Sequence, residues 1–370
     1  MSLTKATYAM IDGAPINVVD YGAVGDGTSD DTLALQAAFD AVQNRGCIVF
    51  PPSKTFKTTS VIVMPPSTFR VVIQGNGSTI LATHNGNGLD LTSTNENFSR
   101  FAVYNLTIQG PNVSFPNSPS ELAGTSTGAG LKMGYNNTSN TAAGYLCTFV
   151  NCTFTNFYQG VYLQAVLLCN FIGGGAFFNQ YGMFIDGGQT NANNFRSFSL
   201  RQNRITGLYS SGRTGGSLSN ATSNTFEGCT FETNIPYDSS TGGYPSTFDS
   251  TKGYGIHLKN SYGFIFNACY FENHNYNIVL DDSADNNTVN DTYFTGGGGS
   301  VRPGAVLITG SSCANNVLNN CVMFNGSVVN YINDNPTSNT YNQVLDCSGV
   351  NFDPAGLGLY TYIRNARKSQ

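Results

Sequence analysis

Apolar residues in this chain recur in short alternating runs, and the runs themselves repeat. The clearest copy is Asn224-Thr-Phe226-Glu-Gly-Cys229-Thr-Phe231: an Asn, then inward-type apolar residues around a central Cys. Phe266, Cys269 and Phe271 repeat its last three elements, as do Phe149, Cys152 and Phe154. Asn316, Leu318, Cys321 and Met323 fit all four, and Asn342, Val344 and Cys347 fit the first three. With other residues in the Cys position, the pattern extends to Asn287/Val289/Thr292/Phe294, Asn193/Phe195/Phe198/Leu200 and Asn170/Ile172/Gly175/Phe177, with Val103, Leu106 and Ile108 as an earlier copy. The copies lie roughly 23 residues apart, or further where a loop is added, and the interval from Leu106 to Cys152 reads as two coils. A second alternating strand follows each first one, as in Gly160-Val-Tyr-Leu163, Gly182-Met-Phe-Ile185, Gly255-Ile-His-Leu258 and Asn277-Ile-Val-Leu280.

Strict alternation sends one face of each strand inward. Repetition at this period with loops of varied length predicts an all-β fold, a single right-handed parallel β-helix with coils of about 23 residues. Like residues then stack from coil to coil, Phe on Phe and Cys on Cys. The recurring Asn is expected in a turn, where its amide bonds nearby backbone and left-handed geometry is tolerated. The sequon Asn151-Cys-Thr is on this reading structural.

The chain opens differently. Ser29-Asp30-Asp31-Thr32 precede Leu35, Ala38, Phe39 and Val42, a helical spacing with acids at its start and Gly46 placed as its stop. One short amphipathic helix has no core of its own, so it is expected to cap the open end of the rod and cover its unpaired edge. The expected organisation is a lead peptide over residues 1–15, a cap with its helix over 16–60, and the β-helix over 61–370. Asp20, Asp26, Asp30 and Asp31 are expected as turn and cap residues rather than catalysts.

Composition narrows the function. Only 11% of residues are charged, with a net charge of −5, so no basic stripe offers itself to nucleic acid. No apolar run is long enough to span a membrane, and residues 1–7 lack a basic start followed by an apolar stretch, so synthesis in a cytoplasm without an export signal is expected. Nine Cys without a CxxC pair argue against a disulfide framework and a zinc site. No motif for a cofactor or metal is present. His84 and His274 have no evident partner and are expected at the surface.

The segment Val18-Val-Asp20-Tyr-Gly22-Ala-Val-Gly25-Asp26-Gly27-Thr-Ser-Asp30-Asp31-Thr32, the helix after it and Ile48-Val-Phe-Pro-Pro resemble the N-terminal signature of the pectate-lyase-like superfamily. That superfamily includes rhamnogalacturonases, polygalacturonases and phage tailspike depolymerases. The lead from Tyr8 to Asn17 is similar to the start of tailspike-type proteins. The resemblance implies a polysaccharide-active β-helix on a phage tail, a homotrimer, attached to other tail proteins through residues 1–15 and acting on a bacterial surface polysaccharide. The Asn-Thr-Asp, Gly-His-Gly and Arg-Ile-Lys motifs of polygalacturonases are absent.

Polysaccharide hydrolysis generally uses two carboxyl groups on one linkage. Aligning the coils places Arg201, Glu232, Glu272 and Thr295 in one outward column, so Glu232 and Glu272 are the candidate catalytic pair, with Arg201 beside them to bind substrate. The large additions around 209–223 and 236–254 flank this column, and Tyr237 and Tyr244 offer rings for sugar stacking. A second outward column runs Gln164, Asp186, Ser211, Lys259, Asp281, with Tyr162, Phe184, Tyr209 and His257 two residues earlier. Asp186, Tyr209, His257, Lys259 and Asp281 are therefore further candidates for substrate binding. A lyase and a non-catalytic receptor-binding rod are the alternatives to a glycoside hydrolase.

Overall fold

The computed structural model describes residues 14–93, 99–111, 128–135, 144–187, 189–212, 221–235, 252–295, 304–324, 331–333, 338–348 and 362–364. Tyr237 and Tyr244 lie outside them. Within them, every strand pairing is parallel, and successive strands pair with the equivalent strand one coil on, which makes the fold a parallel β-helix. One continuous sheet of 22 strands wraps two faces of the rod, and a second sheet of 10 strands forms another.

The alternation decides the packing. Phe149, Phe171, Phe195, Phe226 and Phe266 stack on one another with ring centroids 4.6, 5.1, 4.4 and 5.1 Å apart. Phe231, Phe271 and Phe294 form a parallel stack on the next strand, at 4.6 and 5.0 Å. Cys152, Cys229, Cys269, Cys321 and Cys347 are buried where the repeat places them. All nine cysteines are free.

Two readings of the repeat are corrected by the register. Strand Ala102–Gln109 pairs directly with Thr148–Val150 and Thr153–Thr155, so the interval from Leu106 to Cys152 is one coil with a long addition. The copy beginning at Asn170 is one residue out. Phe171 pairs with Phe149 and Phe195, and Ala176 pairs with Phe154 and Leu200, so Cys169, Phe171, Gly174 and Ala176 are the inward set. Ile172 is 39% exposed as a result. Asn170 beside the true position mimics the repeat, and a slip of one residue exchanges the faces of a strand.

The recurring Asn residues are also not turn residues. Asn193, Asn224, Asn287, Asn316 and Asn342 are all buried, and none has a positive φ. Each Oδ1 instead accepts the backbone N–H of the preceding coil: Cys169 to Asn193 at 2.9 Å, Asn193 to Asn224 at 3.1 Å, Asn287 to Asn316 at 3.0 Å and Asn316 to Asn342 at 3.0 Å. Their Nδ2 groups donate to the next Oδ1 and to backbone carbonyls such as that of Val166. A second ladder runs through Asn179, Asn203 and Asn234 and ends on His274. His274 is thus 3% exposed rather than superficial: Nε2 accepts from Asn234 at 3.0 Å and Nδ1 faces Asn277 Oδ1 at 2.7 Å. His84 is partly buried in a local turn, where its Nδ1 accepts from Gly86 N–H at 3.1 Å. Gly182 and Gly207 pack against this second ladder; a Cβ there would lie 2.6 Å from Asn203 Nδ2 and 2.8 Å from Asn234 Nδ2. The left-handed corners fall immediately before the Cys positions, at Asn151 (φ 51°), Ser197 (50°), Gly228 (59°), Ala268 (51°), Asp291 (51°) and Asn320 (50°).

The helix α1, Thr32–Ala41, buries Leu35, Ala38 and Phe39 over the N-terminal end. Strand Ile62–Val63 is the edge of the ten-stranded sheet. Gln36 pairs it as a neighbouring strand would: Nε2 donates to the Val63 carbonyl at 2.9 Å and Oε1 accepts the Val63 N–H at 3.0 Å. The helix ends before Gly46, with Val42 already extended at φ −69°, ψ 125°. Gly46 serves close packing instead, since a Cβ there would meet Gln43 O and Val42 Cγ2 at 2.8 Å. Asp31, 1% exposed, makes no side-chain cap bond; its carboxylate accepts the Val24 and Gly25 N–H groups at 2.6 and 3.1 Å. Asp26 accepts from Thr28 and Ser29, and Asp30 from Thr32 and Thr59, as structural carboxylates. Strands of residues 16–60 pair directly with Val72–Ala82, so the cap is continuous with the rod.

Truncating Asn203 to Ala leaves the Asn179 N–H and amide without their acceptor in a dry interior. The expected loss is about 2–3 kcal/mol, measured by urea unfolding, and a loss below about 0.5 kcal/mol contradicts the ladder's role. Burial pushes the Cys152 and Cys313 thiols up to about 11 and about 12. Because the thiolate is the reactive form, native protein at pH 8 is expected to expose only Cys47 to a disulfide reagent, and all nine cysteines after unfolding.

Candidate functional site

The two outward columns read from the repeat are both present as lateral neighbours. Arg201 pairs with Glu232, Glu232 with Glu272, and Glu272 with Thr295. Adjacent parallel strands lie about 4.8 Å apart, so the two glutamates project side by side from neighbouring coils. Both are partly buried, and Arg201 is exposed. Glu272 is fixed by its own strand: Tyr270 donates its phenol to Oε2 at 2.8 Å, and Asn273 Nδ2 lies 3.3 Å from Oε1. Partial burial, then the hydrogen bond to Glu272 and the nearby carboxylates of Glu272 and Glu232, raise the Tyr270 phenol above its ordinary value. Arg201 lies 4.9 Å over the ring of Phe177, a ring that faces outward because of the corrected register.

Around the corner after these strands begins the ten-stranded sheet, and its outer face carries the second column. Gln164, Asp186, Ser211, Lys259 and Asp281 are successive lateral partners. Tyr162, Phe184, Tyr209 and His257 run parallel to them, with centroids 5.8, 4.9 and 5.1 Å apart. The polar column is knitted to the aromatic one. Tyr162 donates to Asp186 Oδ2 at 2.6 Å, and His257 Nε2 lies 3.3 Å from Asp281 Oδ2. Lys259 Nζ reaches Asp281 at 3.4 Å and Asp282 at 2.8 Å. The hydrogen bond from His257, with added attraction from His257 and Lys259, holds the Asp281 carboxyl below the usual range against the effect of burial. Lys259 is raised, first by its bond to Asp282 and then by attraction to Asp281. On the same strands as Lys259 and Asp281, Tyr254, Tyr276 and Val279 form a separate buried cluster with Leu307 of the next coil.

The structure therefore brings Asp186, Tyr209, His257, Lys259 and Asp281 together on one face, and Arg201, Glu232 and Glu272 on the adjoining one. Two further residues take part, and of these only Tyr270 escaped the sequence reading. Asp282 holds Lys259, and Tyr270 holds Glu272. The signal for Tyr270 was its place two residues before Glu272, on the same outward face of the strand. Among the described residues no group of three or more His, Cys, Asp or Glu side chains is placed to hold a metal ion. No described helix is long and apolar enough to cross a membrane.

Comparison with known proteins places the opening segment. Residues 15–118 match the family model described as rhamnogalacturonase A/epimerase, pectate lyase-like. The chain is 33% identical over 106 residues to mannuronan C5-epimerase AlgE1 of Azotobacter vinelandii, a stretch covering 25% of this chain and 8% of that protein. It is 33% identical over 97 residues to the capsule K30/K69-specific depolymerase of Klebsiella phage K64-1, covering 24% and 12%. The chain thus spans about a tenth of the length of these curated relatives. Among solved structures, ORF18 of Geobacillus virus E2 superposes with a TM-score of 0.63 at 22% identity, over 84% of this chain and 57% of that one.

Asp281 is a group of depressed pKa, so its contribution to stability is present above the unfolded value near 4 and is lost as pH falls through the lower folded value. Replacing it by Asn is expected to cost about 1 kcal/mol at pH 7, with the difference shrinking as pH falls below about 4, in urea unfolding at pH 7 and at an acid pH below the lowered folded value. A penalty that is equal at both would remove the ion pairs as its cause.

Proposed function

Starting from a chain that carries the pectate-lyase-like signature on a parallel β-helix, we propose that it binds and cleaves a bacterial surface polysaccharide as part of a phage tail. The observation that carries this reading is the direct lateral pairing of Glu232 with Glu272 beside Arg201. Retaining glycosidases set their two carboxyls about 5–5.5 Å apart, leaving no room for a water between them. Strand spacing of about 4.8 Å matches that geometry better than the wider inverting one.

In this mechanism Glu272, already oriented by Tyr270 and Asn273, attacks the anomeric carbon. Glu232 protonates the leaving oxygen, and the glycosidic bond breaks as the ester to Glu272 forms. Glu232 then takes a proton from water as that water attacks the anomeric carbon, the ester to Glu272 breaks and the sugar leaves with net retention. Arg201 and the aromatic and charged columns of the neighbouring sheet hold the polymer on either side of the corner. A virion location, assembly as a homotrimer and contact with other tail proteins are parts of the same proposal, and the phage origin of the capsule-specific depolymerase similar to part of this chain favours the first of them.

A second reading rests on the other face. His257 bonded to Asp281, with Lys259 and Tyr209 beside it, offers a base and a cation to the acidic proton of a uronic acid. That arrangement suits elimination rather than hydrolysis.

The deciding experiment incubates the protein with a panel of capsular and O-antigen polysaccharides, followed by size analysis, ultraviolet absorbance and anomeric NMR. Shortened chains of retained configuration without new absorbance are expected. Glu272→Gln should lower cleavage about 10³-fold while binding stays within a few fold. New absorbance, surviving in Glu272→Gln and lost in His257→Ala, transfers the chemistry to the second face. Binding without any shortening makes the protein an adhesion rod and sinks the catalytic assignment.

A further inference from the structure

The outward strip next to the glutamate pair has a use that the catalytic reading leaves open. Tyr270 and Tyr293 are lateral partners on adjacent coils, and their rings lie nearly parallel, with centroids 6.0 Å apart at 13°. Tyr293 is 38% exposed. Exposure of a large ring in an otherwise regular outward position is not demanded by the fold, because polar residues occupy the equivalent places at Thr153, Ser199 and Thr230. The strip continues apolar into Val322, 41% exposed, and Phe324, 66% exposed, lies two residues beyond. Tyr270 ties it to the chemistry through the bond to Glu272 Oε2.

We propose that Tyr270 and Tyr293 form an aromatic subsite for a pyranose ring of the polymer, continuing the Glu232/Glu272 site toward the C-terminal coils. This rests on the reading of that pair as the cleavage site. Three observations favour a sugar chain as the occupant. Stacked on Tyr270, Tyr293 leaves part of its ring open to solvent, an apolar surface that suits the C–H side of a pyranose. The two tyrosines occupy the same outward position on two adjacent coils, so a repeating polymer lying along the rod meets the same side chain twice. They are also continuous with a carboxylate that the phenol of Tyr270 orients. Tyr293 is a binding residue on this view, and Tyr270 is both a binding residue and a positioning residue for Glu272.

The two roles separate in kinetics on a polysaccharide that wild type shortens. Tyr293→Ala should raise KM about 3- to 10-fold with little change in kcat, the loss expected of one aromatic contact, and Tyr293→Phe should restore it. Tyr270→Phe keeps the ring and removes the bond to Glu272, so kcat should fall with KM nearly unchanged. Affinity electrophoresis of Tyr293→Ala in a gel containing the same polysaccharide reads binding independently of cleavage. Unchanged KM and mobility for Tyr293→Ala overturn the subsite, whatever Glu272→Gln shows. If Glu272→Gln still cleaves while Tyr293→Ala loses mobility, the subsite stands and the catalytic pair fails. Loss of mobility in Tyr293→Ala that Tyr293→Phe does not restore overturns the aromatic assignment.

Discussion

The rod depends on buried amides that make each coil the acceptor for the one before it. A parallel coil leaves backbone N–H groups at its corners pointing along the axis into a dry interior, where an unmade hydrogen bond costs about 1–3 kcal/mol. Asn193, Asn224, Asn287, Asn316 and Asn342 answer this at one corner, and Asn179, Asn203 and Asn234 at another. Because each Oδ1 takes an N–H from the previous coil while Nδ2 donates onward, a shift in register breaks bonds on both sides. The Phe stacks contribute the apolar area, but rings tolerate sliding, whereas the amides do not.

The same requirement explains substitutions within the ladders. Cys147 donates its N–H to Cys169 Sγ at 3.2 Å, so sulfur stands where coils nearer the C-terminus use an amide oxygen. His274 ends the second ladder by accepting with Nε2 the proton that Asn234 offers. Gly182 and Gly207 have no side chain because the Asn amides occupy that space. Gln36 applies the same logic at the rod's end, lending a side-chain amide to the edge of the ten-stranded sheet.

Much of this was legible in the sequence, and the failures have physical causes. Alternation exposed the inward Phe and Cys positions because burial is a property of single residues. It could not tell a buried Asn from a turn Asn, since both chemistries favour the same amide. Asn193 and Asn151 differ only by position in the coil, one inside the rod and one in a left-handed corner. The copy at Asn170 failed because Gly174 and Gly175 leave no mark of which residue faces in. The long coil between Leu106 and Cys152 failed because an addition near one period in length imitates a whole coil. The two outward columns were found because they inherit the register of the core, but which neighbours clasp each other was not. The bonds from Tyr270 to Glu272 and from Lys259 to Asp282 depend on rotamers that spacing does not encode.

That inheritance joins the fold to the proposed chemistry. In a globular enzyme, two carboxyls are brought together by loops whose lengths can drift. Here the backbone positions of Glu232 and Glu272 are one strand spacing apart, held by the same interior contacts that hold every other pair of coils. Phe231 stacked on Phe271 at 4.6 Å lies on the inner side of the same two strands and sets the lateral alignment of the glutamates outside. A slip of one residue would turn Glu232 inward and expose Phe231, exchanging a charge for a ring in the core. The penalty for misplacing the proposed site is therefore the penalty for misfolding the coil.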